Sequence, residues 1–149
     1  MSEKRFMIAA IGEAEKAMAK GDVPVGAVIV KNGEMIAMAH NTRENGGGAT
    51  AHAELKAIEM ACEKLGRWRL SDCELYVTLE PCPMCAGAII NARLSKVIFG
   101  AKDPRMGAFG SVMNMNAYPL GFKTEIEYGV CEDECLAILR DFFKKVRDK

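Results

Sequence analysis

Two short stretches of this chain carry residue types that serve one kind of chemistry. Thr50-Ala51-His52-Ala53-Glu54 supplies an imidazole and a carboxylate, and Glu80-Pro81-Cys82-Pro83-Met84-Cys85-Ala86-Gly87 supplies a Cys-x-x-Cys pair. One imidazole and two thiolates suit a metal of zinc's preferences. A closed structural site would spend four such ligands on the ion, whereas three leave a position for water, whose pKa the metal lowers. Glu54 is not needed as a ligand and is free to carry protons. Alone, Cys-x-x-Cys also reads as a redox pair, and His-x-Glu arises by chance in many chains. The conjunction of both clusters, in a chain whose only other histidine is His40, selects the catalytic-metal reading.

The elements that must position these groups follow from periodicity and turn residues. Apolar side chains at Phe6, Ala10, Ala14, Ala17 and Met18 form a helical stripe over about Ser2 to Lys20, and Gly21 stops it. Val25 to Lys31 reads as a buried strand, Asn32-Gly33 as a two-residue hairpin turn, and Glu34 to His40 as the antiparallel return. Asn41 to Ala49, with Gly46-Gly47-Gly48, is a loop. Leu55, Ile58, Cys62 and Leu65 recur at helical spacing from His52 to Leu65, and Gly66 ends that helix. Strand Leu75–Leu79, helix Pro83–Ala92 and strand Lys96–Gly100 alternate in the βαβ manner, which implies parallel strands with helices on the sheet faces. A strand near Thr124 to Tyr128 and a helix from Cys131 to about Lys145 complete a three-layer α/β/α fold. The expected sheet is mixed and has about five strands, an initial hairpin followed by parallel ones.

Both ligand clusters fall at helix starts. Cys82 precedes Pro83, the residue type favoured at the first helical position, and the N–H groups and dipole there favour thiolates. His52 and Glu54 stand at i, i+2 and do not share a helix face. They converge only if both sit at the very end of the helix.

Composition bounds the rest. With 149 residues, half of them hydrophobic, the chain is sized for one domain with its own core, spanning residues 1–149. No run approaches the roughly 20 apolar residues of a membrane span, and the charged N-terminal segment lacks a secretory pattern, so a cytoplasmic protein with no membrane partner is expected. In that compartment six cysteines are not a disulfide framework. Cys62, Cys73, Cys131 and Cys135 read as core residues. Zero net charge argues against loose electrostatic binding of nucleic acid, without excluding a local patch. The basic run Lys144-Lys145-Val146-Arg147-Asp148-Lys149 is accounted for by the dipole of a helix C-terminus.

The chain closely resembles the zinc-dependent cytidine deaminase superfamily, whose signature is H-x-E…P-C-x-x-C. Within it, the resemblance to bacterial tRNA-specific adenosine deaminases covers nearly the whole chain. It rests on Val23-Pro24-Val25-Gly26-Ala27, His40-Asn41-Thr42-Arg43-Glu44, the two metal clusters, Trp68-Arg69-Leu70, Leu75-Tyr76-Val77-Thr78-Leu79-Glu80-Pro81-Cys82 and Phe99-Gly100-Ala101-Lys102-Asp103-Pro104. The resemblance implies zinc-dependent hydrolytic deamination of adenosine to inosine at the wobble position of a tRNA anticodon stem-loop, by a homodimer with one zinc per subunit. It implies that His52, Cys82 and Cys85 bind the metal and that Glu54 shuttles protons. It also implies that Asn41 bonds the base, with Ala53 beside it and Asp103 and Arg105 near the RNA. By itself Asn41 reads as a turn residue ending the hairpin. Gly26 inside a strand signals close approach of a ligand or another backbone, as in a pocket wall.

Two departures bear on substrate. Gly48-Ala49 stands where the family often has Asp-Pro, which predicts a more flexible loop, and Gly121-Phe122-Lys123 stands where many members carry Asn-His and a cation. A deaminase of a free base or nucleoside such as guanine, cytosine or cytidine is the alternative. Met106, Phe109, Met113, Met115, Tyr118, Leu120 and Phe122 crowd a loop-rich region and are expected to be covered at a dimer interface.

Overall fold

A computed structural model describes residues 2–148. Lys149, the last cation of the basic C-terminal run, lies outside the described residues. Helix α1 spans Lys4–Ala19, strands β1 and β2 Gly26–Lys31 and Glu34–His40, helix α2 Ala53–Leu65, strand β3 Cys73–Leu79, and helix α3 Pro83–Ala92. Strands β4 (Lys96–Ala101) and β5 (Glu125–Tyr128) and helix α4 (Glu132–Arg147) follow. The sheet order is β2-β1-β3-β4-β5, antiparallel across β2, β1 and β3 and parallel from β3 to β5. This is the mixed, five-stranded, helix-covered sheet that the sequence implies.

Alternation along the strands makes the three layers. Ala27, Ile29, Leu75, Val77, Val97 and Phe99 pack with Ala53, Ala57 and Ala61 of α2 and with Ala86 and Ile89 of α3. The intervening residues Val28, Val30, Tyr76 and Ile98 pack with Phe6, Met7 and Ala10 of α1 and with Cys135 of α4. Asn32 and Gly33 both take positive φ, 50° and 77°, as a type I′ hairpin turn requires. Gly21, at φ 81°, ends α1 as expected.

Three expectations need correction. The face of α2 that meets the sheet is the alanine row Ala53, Ala57 and Ala61, while Ile58, Cys62 and Leu65 pack beside it and are partly buried. Small side chains bring the helix close to the sheet, and Glu54 enters the same buried face. The segment 41–49 holds one irregular turn, Arg43–Gly47, with non-helical backbone at Asn45 and Gly46. It is tied down by the Asp22 carboxylate on the Glu44 N–H, the Asn45 amide on the Lys20 carbonyl, and the Lys56 ammonium on the Thr42 hydroxyl. The apolar segment after Met106 is only partly on display. Phe109 belongs to the core, Met113 and Met115 pack against it, and the half-buried Phe122 ring lies under the Arg93 guanidinium, 5.5 Å away. Met106, Tyr118 and Leu120 remain exposed.

Candidate active site

The site forms where the N-termini of α2 and α3 approach one another beside the end of β3. His52 is the residue before α2 and Cys82 the residue before α3, both with extended backbone (φ −80°, ψ 147° and φ −74°, ψ 172°). Neither side chain caps its helix, so both ligating atoms can turn toward one another. Cys85 follows in the first turn of α3 and is fully buried. His52 Nδ1 lies 3.7 Å from Cys82 Sγ and 3.5 Å from Cys85 Sγ. All three ligating atoms fall within 4.8 Å of one another. Zinc bonds of about 2.3 Å to sulfur and 2.0–2.1 Å to nitrogen set the S···N edge of a tetrahedron at roughly 3.5–3.6 Å. The donor set therefore fits such an ion in type and in spacing.

The two sulfurs divide one charge. The Cys85 thiol and then the His52 ring donate toward Cys82, holding its thiol down at about 4 against the effect of burial. The neighbouring Cys82 sulfur and burial push Cys85 far up, and the bond with Cys82 raises His52. A cation held by these three residues would replace the shared protons, so loading it would release protons. Glu54 is the second residue of α2 and is 3% exposed. Burial pushes its carboxyl up to about 7, and its Oε1 is buried with no hydrogen-bond partner among the described residues. An orphaned carboxylate oxygen beside a metal-ligand set is the feature that proton transfer requires.

A cavity of about 260 Å³ opens over these groups. His52, Glu54 and Cys82 line it together with Asn41, Glu80 and Asp103, and Val23, Val25, Leu79, Met106 and Arg43 supply the apolar wall and one cation. Asn41 is 5% exposed and its Oδ1 accepts the Ala53 N–H at 2.8 Å, which leaves its amide NH₂ for the cavity. The turn reading and the site reading of Asn41 are thus two ends of one amide. Asp103 reaches the wall from the loop after β4, where its Oδ1 accepts the N–H groups of Arg105 and Met106. A neighbouring groove of about 400 Å³ shares Val23, Arg43, Leu79, Asp103 and Met106 with the cavity and adds Lys102, Arg105 and Phe143.

Three residues expected at the site stand elsewhere or are otherwise engaged. Gly26 does not line the cavity; strand alternation turns it toward α1, where a Cβ would stand 1.8 Å from the Ala10 carbonyl oxygen. Its close neighbour is a backbone, not a ligand. Ala53 is fully buried against the sheet, and its N–H is occupied by Asn41. Arg105 lines the groove rather than the cavity. Sequence reasoning missed Val23, Val25, Arg43, Leu79, Glu80 and Met106 as cavity residues. Only Glu80 carried a signal, as an acidic residue directly continuing a buried apolar strand.

The chain matches the model of the MafB19-like deaminase family over residues 1–147. It is 50% identical over 148 residues to a Bacillus subtilis protein named tRNA-specific adenosine deaminase, an alignment covering 99% of this chain and 92% of that one. A solved structure of a tRNA:A34 deaminase, described with A-to-I editing at the wobble position of transfer RNA, superposes with a TM-score of 0.89. It is 42% identical and covers 92% of this chain and all of the other. A guanine deaminase structure from Bacillus subtilis, 43% identical, superposes with a TM-score of 0.64 over 68% of this chain and 66% of the other. The chain belongs to the tRNA-specific adenosine deaminase family. Its members are hydrolytic deaminases, and the convergence of His52, Cys82 and Cys85 beside Glu54 is the chemistry such an enzyme needs.

Proposed function

We propose that this enzyme converts adenosine to inosine at the wobble position of a tRNA anticodon, using one zinc ion held by His52, Cys82 and Cys85, with residues 1–149 acting as one domain. The observation that carries the reading is the orphaned Glu54 Oε1 beside the three ligating atoms at the base of a cavity. Zinc bound there supplies a Lewis-acidic centre that makes water a nucleophile at neutral pH. Glu54 takes a proton from the attacking water on Oε1 and gives it to the purine ring, then carries the proton of the newly added hydroxyl to the exocyclic amine, which leaves as ammonia as the C–N bond breaks and the carbonyl forms. The Asn41 NH₂ donates to an acceptor of the base, and its Oδ1 keeps that donor aimed by holding the Ala53 N–H. Leu79, Val25 and Met106 close an apolar wall around a purine extruded from its strand.

An RNA substrate accords with the groove continuing from the cavity. Arg43, Lys102 and Arg105 are exposed along it and concentrate positive charge at the mouth of a chain with zero net charge. Phosphates flanking the base fit there. The enzyme would then work where tRNA is, in the cytoplasm. A second copy of the chain fits the outer face of α3. That helix contains no charged residue, and Met84 on its face and Tyr118 and Leu120 nearby are exposed.

The test is incubation with an anticodon stem-loop bearing adenosine at the wobble position and, separately, with free bases and nucleosides. Inosine in the stem-loop is the expected product. Ammonia released only from small molecules would overturn this reading in favour of a free-base deaminase. Arg105→Ala is expected to weaken stem-loop binding and to flatten its salt dependence by about 0.7 in log–log slope for one lost single-strand phosphate contact.

A further inference from the structure

Glu80 is a buried carboxylate to which the metal and proton chemistry of the site assigns no task. It is 2% exposed, and among the described residues no lysine or arginine pairs with it. Its partners are instead the backbone of one loop. Oε1 accepts the Asp103 N–H at 3.0 Å, and Oε2 accepts the N–H groups of Phe109 at 3.0 Å and Ser111 at 3.1 Å. The Ser111 hydroxyl closes on Oε1. The loop wraps the carboxylate so tightly that a Cβ at Gly107 would stand 2.4 Å from Glu80 Cδ. Two backbone bonds run alongside, Glu80 N–H to the Ala101 carbonyl and Ala108 N–H to the Pro81 carbonyl.

This carboxylate joins parts of the site that are distant in sequence: the turn leading to Cys82 and Cys85, and the loop 102–111. The loop places Asp103 and Met106 in the cavity wall, and Arg105 lies between them. Amides donating to an ion bind more strongly and with tighter geometry than amides donating to a neutral oxygen. Removing the acceptor leaves the buried Phe109 N–H and the part-buried donors of Asp103 and Ser111 unpaired, so the loop cannot keep its place at no cost.

We propose that Glu80 is a positioning residue for substrate: its carboxylate holds loop 102–111 against the ligand-bearing turn, so that Asp103 and Met106 form the wall gripping the reacting nucleoside. The inference rests on the reading of the cavity as the site of adenosine within an RNA strand. Glu80→Gln keeps the size but turns an NH₂ group toward backbone donors in either orientation of the amide. Ser111→Ala removes only the hydroxyl donor and serves if the first variant does not fold.

The test measures metal content, anisotropy of a labelled anticodon stem-loop, and kcat and KM separately. Glu80→Gln is expected to retain its metal while stem-loop Kd and KM rise about tenfold or more, the scale of one or two misplaced contacts. Its kcat should change less, Ser111→Ala should shift the same quantities by less, and the double variant should fall short of the sum because both act on one knot. Wild-type Kd and KM in the folded variants would overturn the proposal and leave Glu80 a purely structural residue. Loss of metal from Glu80→Gln would overturn it in favour of support for the ligands. A wild-type protein that neither binds nor deaminates the stem-loop would overturn the functional reading instead, and KM for whichever free base is turned over would then decide the role of Glu80.

Discussion

Asn41 shows how much one side chain does at this site. Its carbonyl oxygen fixes the first N–H of α2, and that anchor orients both His52, one residue before the helix, and Glu54, one residue further in. Burial raises the Glu54 carboxyl to about 7, which suits a group that takes up and returns a proton near neutrality, and its Oε1 has no partner among the described residues. Glu54→Gln is therefore expected to retain zinc and lose turnover by orders of magnitude, measured by metal content beside inosine formation. His52→Ala should lose both. Retained deamination by the Glu54 variant would refute its role as proton carrier. The remaining thiols are packing residues: burial raises Cys73 to about 11 and Cys135 to about 12, and Cys62 and Cys131 are raised in the same way. They should stay unreactive toward alkylating agents in the folded enzyme at neutral pH.

Among the elements, the tie between α1 and β2 decides where the strand delivers Asn41. Glu13 of α1 is buried, and its carboxylate is bonded to His40 Nδ1 at 3.0 Å and to Lys16 Nζ at 2.7 Å. Burial works to raise this carboxyl, but the bonds from His40 and Lys16 outweigh it and hold it below its ordinary 4.5. A lowered folded-state value means that the stabilisation is present above 4.5 and is lost as pH falls through the folded value. Glu13→Gln should flatten the acid limb of the stability profile, read from denaturant midpoints across the acid range; an unchanged limb would remove the tie. Nearby, β1 runs against α1 with no room for a side chain at Gly26. Gly26→Ala is expected to cost about 1–3 kcal/mol of stability by overpacking, with zinc content unchanged. A midpoint equal to that of the parent would show that the helix yields.

At the scale of the whole molecule, the sheet order puts all the chemistry at one end of one layer. The parallel step from β3 to β4 requires a crossover, and α3 supplies it with both cysteines at its first turn. The outward face of α3 is the one proposed above to seat a second copy. Apart from its chain neighbours and its own helix backbone, a Cβ at Gly87 meets nothing within 4 Å among the described residues, so Gly87→Glu is expected to keep the fold of one subunit. It should convert a dimer to monomers in sedimentation at micromolar concentration. A wild-type protein that already sediments as a monomer would remove this interface.

Much of this was legible without coordinates because it depends on local rules. The hairpin turn at Asn32-Gly33, the helix starts near His52 and Cys82, and the mixed sheet follow from φ preferences, capping and a change of period, and the candidate metal-binding set of His52, Cys82 and Cys85 follows from donor chemistry. What only the tertiary structure decided depends on direction and contact. Alternation along β1 turned Gly26 to α1 rather than to the cavity, and an alanine row brought α2 close enough to bury Glu54. Glu80 found its partners among backbone N–H groups more than twenty residues away, which no side-chain pattern encodes. The candidate metal centre is written in residue types. The cavity that chooses a substrate is written in backbone amides and in the faces on which side chains land, and these exist only once the sheet has formed.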